Sequence, residues 1–410
     1  MTAAAVLDGG PVARAEHTFP ALDGLRALAA TAVVTTHVAF WTARYTPDLL
    51  GRALARLDVG VAVFFALSGF LLSRPMFLAG VQGRPLPRTA AYLWRRALRV
   101  LPAYWLTVTV AFLVLPGNRA AGPWEWVRHL TLTQPYTTGW FGEGLSHTWS
   151  LTTEVAFYLV LPAIATGLVR LSSGRPERPV PVLVALAVAA VLGLGWIAWT
   201  AGTPSALPLN LWLPSFAGWF GAGMALALLT TSDRTWRPVR LLHDLGSSLT
   251  TCWAGAAALF WIATSSVAGP EGLFASTATQ AVTKNALYLG IATLLLLPLV
   301  FGDQSQGRVR LVLSSAPARF LGEISYGLFL VHVVVLAWGY RALGIAPFSG
   351  NVVLVLVATW VTAASLATVV YLLLERPLRR WRGLVAASPL PRTGSSSAAT
   401  TEVSATSASA

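Results

Sequence analysis

Ten apolar runs, each about as long as a bilayer core is thick, leave this chain essentially one kind of fold. They lie near 20–41, 58–75, 100–116, 147–169, 180–201, 208–230, 248–267, 284–301, 318–340 and 351–374. Lipid offers the backbone no hydrogen-bond partners, so each run must close its own bonds, as a helix does. Hydrophobic residues make up 55% of the chain and charged ones 11%, well under the roughly 25% charge of a soluble domain. The expected fold is all-α: a polytopic integral membrane protein with about ten transmembrane helices. Cys252 is the sole cysteine and sits in an apolar run, which excludes a disulfide framework and a thiolate metal site. No metal site is expected. The first twenty residues lack the basic, apolar and small-residue regions of a secretory signal, so the first helix is expected to be retained.

A net charge of +13 would ordinarily raise nucleic acid as a partner. The cations instead follow membrane topology. With the N-terminus inside, 21 of the 29 Lys and Arg fall on cytoplasmic segments, from Arg14 through the Arg74–Arg99 stretch to Arg392. Only Arg44, Arg52, Arg56, Arg119, Arg128, Lys284 and Arg341 fall on the other side, and Arg26 lies within the first run. That positive-inside bias places both termini in the cytoplasm and accounts for the basicity without nucleic acid. The expected domains are a cytoplasmic tail at 1–18, a transmembrane domain at 19–382 and a low-complexity tail at 383–410, rich in Ser, Ala and Thr and expected to be disordered. No internal repeat is evident.

Arg26 and His37 stand eleven residues apart in the first run, so on a helix they share one face, about 16 Å apart along the axis. An arginine within a span costs roughly 2.5–3.5 kcal/mol, and such residues usually face a bundle interior or a wet cavity. Depth follows from ~1.5 Å per residue in a core about 30 Å thick. Arg26 comes out roughly 7–9 Å above the cytoplasmic face and His37 about 24 Å. Glu154 and His332 come to about 20 Å, Ser325 and Tyr326 to about 10 Å, and Ser68 lies near the middle. Three titratable groups from three helices therefore converge on one level, with arginines beneath.

The residue types suggest chemistry. Arg96 and Arg99, three apart on one helical face, can clamp phosphates together with Arg26. His37 can remove a proton from an attacking hydroxyl. Glu154 can orient that imidazole and stabilise its cation. Ser68 can donate a hydrogen bond where Gly69 permits close approach.

Each feature has a plainer reading. Arg26 can snorkel to the inner surface, His37 can be a satisfied structural histidine, and Glu154 can neutralise a neighbour. Arg95, Arg96 and Arg99 suit ordinary orientation and anionic-lipid contacts. Asp23 reads as a cap or an ion-pair partner for Arg26, and Asp58 as a helix-start acid. Trp149 and the aromatics of 116–146 read first as an interfacial belt and second as sugar-stacking groups. Ser325 and Tyr326 can pack helices through hydrogen bonds, and Gly218, Gly221 and Gly223 suit close helix packing.

Six segments, taken in order, resemble the membrane-bound acyltransferase-3 family over about 20–380. They are Leu22–Ala27 ending in His37; Phe64–Phe70 around Ser68; Arg95–Trp105; Trp149-Ser150-Leu151-Thr152-Thr153-Glu154 with Phe157 and Tyr158; Ser325–His332; and Glu375-Arg376-Pro377. Phe329 stands where a Tyr is common, and Val333-Val334 where proline is frequent. The resemblance implies acyl transfer from cytoplasmic acyl-CoA to a hydroxyl, commonly on a sugar. Arginines would meet the CoA phosphates and His37 would be the essential base or acyl relay. His37, Glu154 and Arg26 are then the expected catalytic residues, and Arg26, Arg96, Arg99 and Ser68 the expected acyl-CoA contacts. Asp23, Trp149, Ser150, Ser325, Tyr326 and His332 would contact substrate or support the site. Acyl-CoA is a co-substrate, no tightly bound cofactor is expected, and the location is the plasma (inner) membrane. The acceptor can equally be a surface polysaccharide, a glycolipid or a glycosylated metabolite such as a macrolide. A proton-coupled transporter or flippase using the same buried ions is the competing reading, and the missing repeat counts against it. A noncatalytic scaffold would leave those ions unexplained.

Overall fold

A computed structural model describes residues 19–385 except 138, 139, 175, 204, 273–275 and 304. The tail at 1–18, most of the tail at 383–410, and the arginines at 14, 175 and 392 lie outside the described residues. In chain order the helices are α1 Ala21–Trp41, α2 Leu49–Arg56, α3 Gly60–Val81, α4 Thr89–Val114, α5 Pro123–Leu130, α6 Trp149–Leu171 and α7 Val180–Gly202. They continue as α8 Ala217–Leu229, α9 Arg237–Ser247, α10 Leu249–Ala263, α11 Ala278–Val300, α12 Arg308–Leu313, α13 Ala316–Ala342 and α14 Val352–Val370. There is no strand among the described residues. The protein is an all-α, multi-pass membrane protein.

Each of the ten apolar runs is helical, but they are not ten equivalent rods. Among the described residues, seven helices are long and apolar enough to span. The first run forms α1, 21 residues long, yet Asp23, Arg26 and His37 keep it outside that group. The sixth run starts late because Pro208 and Pro214 interrupt its head, leaving a 3₁₀ turn at Leu213–Phe216 and the short α8. The seventh is α10, only 15 residues, which meets α9 at an 87° bend. The third run starts earlier than expected. Its helix begins at Thr89, so Arg95, Arg96 and Arg99 lie within α4, in keeping with the expected helical face of Arg96 and Arg99.

Burial separates centre from periphery. The spans containing α3 and α13 are each 67% buried over their most apolar window, against 22% for those of α6, α7 and α14. Glycine lets the central helices touch. A Cβ at Gly223 of α8 would collide with the Ala66 carbonyl of α3, and one at Gly69 of α3 with the Phe220 carbonyl of α8. A Cβ at Gly322 of α13 would collide with the Asp23 carbonyl of α1. From that contact α1 and α13 run side by side in the same direction until His37 meets His332.

The described residues of the stretch 116–146 are folded. Phe112 packs edge-on against Trp126 and His129, with ring centroids 4.8 Å apart in each pair, and Trp140 lies 5.3 Å from His129. Part of the expected belt is therefore a small aromatic cluster around the buried His129, while Trp124 and Trp140 remain exposed. Gly144 adopts φ 77°, and its missing side chain leaves room for Leu115 and Val334. This turn delivers His147 against α13.

Candidate active site

Five helices contribute to one narrow cavity of about 60 Å³. Arg26 comes from α1, Ser68 from α3, Arg99 from α4, Ser150, Glu154 and Tyr158 from α6, and Ser325, Tyr326 and Phe329 from α13. Glu154 is its polar centre. One of its oxygens accepts from the Ser68 hydroxyl and, at 2.6 Å, from the Tyr158 hydroxyl one turn along the same helix. Tyr326 donates to the Val100 carbonyl at 2.8 Å and ties α13 to α4. Ser325 and Ser150 donate to carbonyls of their own chain segments, Gly322 at 2.7 Å and His147 at 3.2 Å. Asp23 pairs with Arg26 at 3.6 Å. Arg96 is outside the lining, with its buried Nε lacking a hydrogen-bond partner. Trp149 stacks on Phe216 and lines a different cavity.

Beyond Phe329 lies a cluster of three imidazoles. Ring centroids are 5.0 Å apart for His37 and His332, 4.8 Å for His147 and His332, and 6.1 Å for His37 and His147. Phe329 touches the cluster from below, its ring 5.0 Å from that of His147. His147 and His332 are buried, while His37 is half-buried.

Their hydrogen bonds determine where the protons sit. A carbonyl can only accept, so His332 Nδ1, 2.6 Å from the Phe329 oxygen, carries a proton. In the neutral ring its Nε2 is then a lone pair, and it faces His37 Nδ1 at 3.2 Å. His37 Nδ1 also lies 2.8 Å from the Val33 carbonyl. Both neighbours accept, so His37 carries its proton on Nδ1, which leaves Nε2 basic. By the same reasoning His147 donates from Nε2 to the Leu330 carbonyl at 3.1 Å, and its buried Nδ1 has no partner. Among the described residues no three His, Cys, Asp or Glu side chains are arranged to hold a metal ion.

The structure thus gathers Arg26, Arg99, Ser68, Ser150, Glu154, Ser325 and Tyr326 around one cavity and pairs His37 with His332. Glu154 does not orient His37, because its hydrogen bonds go to Ser68 and Tyr158. The depth count misplaces it: His147, seven residues earlier, is the α6-side group level with His37, and about 10 Å of helix separates the two positions. His147 and Tyr158 are additions to the expected set. The signal for Tyr158 is its i+4 spacing from Glu154. For His147 it is a histidine at the very edge of an apolar run.

Helices that gather a carboxyl, arginines and hydroxyls around a cavity, with a free imidazole nitrogen beyond its Phe329 wall, are the equipment of a membrane-embedded enzyme. Comparison with known proteins identifies its reaction class. The family model described as an acyltransferase domain matches residues 19–374, and the chain belongs to this acyltransferase-3 family. It is similar to the acyltransferase MdmB of Streptomyces mycarofaciens, 28% identical across 91% of this chain and 96% of that protein. YrhL of Bacillus subtilis, provisionally named a peptidoglycan O-acetyltransferase, is 26% identical across 88% of this chain and 55% of its own length. The O-acetyltransferase OatA of Staphylococcus aureus is 26% identical across 91% of this chain and 59% of its own. This chain therefore spans little more than half of those last two proteins. No solved structure matches it. The protein is a multi-pass membrane acyltransferase.

Proposed function

We propose that the protein moves an acyl group, acetyl or another short chain, from cytoplasmic acyl-CoA to a hydroxyl of a sugar-containing acceptor, in the plasma (inner) membrane. The observation that carries this reading is the tautomer of His37, whose Nδ1 proton is held by His332 and Val33 so that Nε2 is available as a base. Arg26 and Arg99 at the adjoining cavity, with Arg96 one turn along α4, supply positive charge for the CoA phosphates. No tightly bound cofactor is needed. The provisional naming of YrhL supports a carbohydrate acceptor.

In the proposed step His37 Nε2 takes the proton of the acceptor hydroxyl as its oxygen adds to the thioester carbonyl carbon. The tetrahedral intermediate collapses, the C–S bond breaks, and the CoA sulfur leaves with the proton returned by the imidazolium. His332 Nε2, accepting from His37 Nδ1, stabilises that transient cation in the way an orienting acceptor does in a catalytic triad. Glu154, held by Ser68 and Tyr158, balances the arginine charge.

The test is acetyl-CoA consumption by purified protein in proteoliposomes. Thioester cleavage that rises with added acceptor and needs no proton gradient supports transfer. Gradient-driven substrate flux without cleavage would replace it with transport. Label retained on the protein after acetyl-CoA alone would route transfer through an acyl-imidazole instead of direct attack.

A further inference from the structure

A separate cavity of about 220 Å³, largely apolar with a few polar groups, lies among the ends of α3, α6, α7, α8 and α11. The positive-inside assignment puts all of these ends on the extracytoplasmic side. Val61 lines both this cavity and the one that holds Glu154 and Arg99, so the two adjoin. Trp149 lines it two residues from His147.

The lining suits a neutral, polyhydroxylated ring. Asp58 and Lys284 form an ion pair at 2.7 Å, giving the wall a donor and an acceptor but no net charge. The ammonium retains donors beyond the one given to Asp58. Trp149 and Trp219 supply apolar faces, with Phe216 backing the Trp149 indole at 5.4 Å. The Trp219 indole is fixed by its N–H, which donates to the Asn285 carbonyl at 3.0 Å. Ser215 is 2% exposed, yet its hydroxyl has no hydrogen-bond partner. Buried hydroxyls rarely stay unpaired, so this one has a bond to give to a water or a ligand hydroxyl. The volume falls below the ~300–1,000 Å³ of drug-sized sites, which favours one ring over an extended oligosaccharide.

We infer that this cavity is the acceptor site, holding a single neutral sugar ring between Trp149, Trp219, Ser215 and the Asp58–Lys284 pair, with the hydroxyl to be acylated directed past Val61. The inference rests on the acyltransfer reading and assigns its second substrate a place.

The test is photolabelling of the full-length protein in proteoliposomes with a diazirine-bearing methyl glycoside, mapped by mass spectrometry. Label is expected on peptides containing Trp149, Ser215 and Lys284, and unlabelled methyl glycoside should compete it away. Muropeptides and a glycosylated macrolide serve as further competitors, and the stronger one distinguishes a polymer source from a metabolite source. Ser215→Val and Lys284→Gln, each checked for an unchanged unfolding temperature, should label at least tenfold more weakly. Label elsewhere, label that does not compete, or folded variants that label like wild type would overturn the site. Acetyl-CoA cleavage is measured on the same preparation. Cavity labelling without cleavage would overturn acetyl-CoA as the donor and leave the sugar site standing; cleavage without cavity labelling would refute the site alone.

Discussion

His332 Nε2 stands 3.2 Å from His37 Nδ1, and a carbonyl bond on the far side of the His332 ring dictates which of the two carries the proton between them. His332 is thus a positioning residue. It holds the His37 ring in the tautomer whose free nitrogen can act on substrate.

Replacing His332 with Ala should therefore lower kcat by about 10²–10⁴-fold, the range for losing an orienting or general-base contribution. KM for acyl-CoA should change little, because His332 lies away from the arginines. Steady-state kinetics with both substrates varied would separate the two effects. A variant that raises KM while keeping kcat would place His332 in binding instead.

Glu154, Ser68 and Tyr158 form a unit in which one carboxyl oxygen accepts two hydroxyl bonds. Ser68→Ala and Tyr158→Phe should each destabilise the protein by about 1–3 kcal/mol, the cost of breaking such a bond at a buried acceptor. The double variant should exceed the sum, since either single change leaves the shared oxygen one donor and only the second leaves it bare. Thermal unfolding in one fixed detergent reads this out. Full additivity would show that the hydroxyls act separately.

His129 makes the 116–146 segment sensitive to acid. Its Nδ1–H donates to the Glu125 carbonyl at 2.7 Å, and its Nε2 accepts from the Gly142 amide at 3.0 Å. Burial, the dominant influence, holds its pKa below the ordinary imidazole value. A folded-state pKa that is depressed means the unfolded chain binds the extra proton more readily. The stabilisation is thus complete above about pH 6.5 and is lost as pH falls through the lowered folded value. Protection of the Gly142 amide, its exchange rate taken relative to the intrinsic base-catalysed rate at each pH, should fall as pH drops through that window in wild type and show no such step in His129→Gln. Protection that stays constant with pH in wild type would contradict the assignment.

Much of this arrangement is legible in the order of the residues alone. The eleven-residue spacing of Arg26 and His37 suffices to put both on the inner face of one helix, because helical period is a local property. The all-α membrane fold follows from lipid's inability to hydrogen-bond a backbone. What one helix shows its neighbour is not local. Glu154 and His332 sit at similar counted depths, yet His147 meets His332 while Glu154 meets Ser68, since tilt and rotation depend on packing at positions such as Gly223 and Gly322. Arg96 and Arg99 share a turn of α4, yet only Arg99 lines the cavity. Spacing identifies a shared face without showing which end of it the substrate sees.

The free Nε2 of His37 is the feature on which the reaction depends, and one measurement addresses it. Purified wild-type protein and His37→Ala, matched in unfolding temperature and reconstituted in proteoliposomes, are given acetyl-CoA and a panel of methyl glycosides, and release of the CoA thiol is followed. Wild type should release thiol in a glycoside-dependent way, and His37→Ala should be slower by about 10²–10⁴-fold, as expected for removal of a general base. Glycoside-dependent release by His37→Ala at the wild-type rate would contradict a catalytic role for this imidazole.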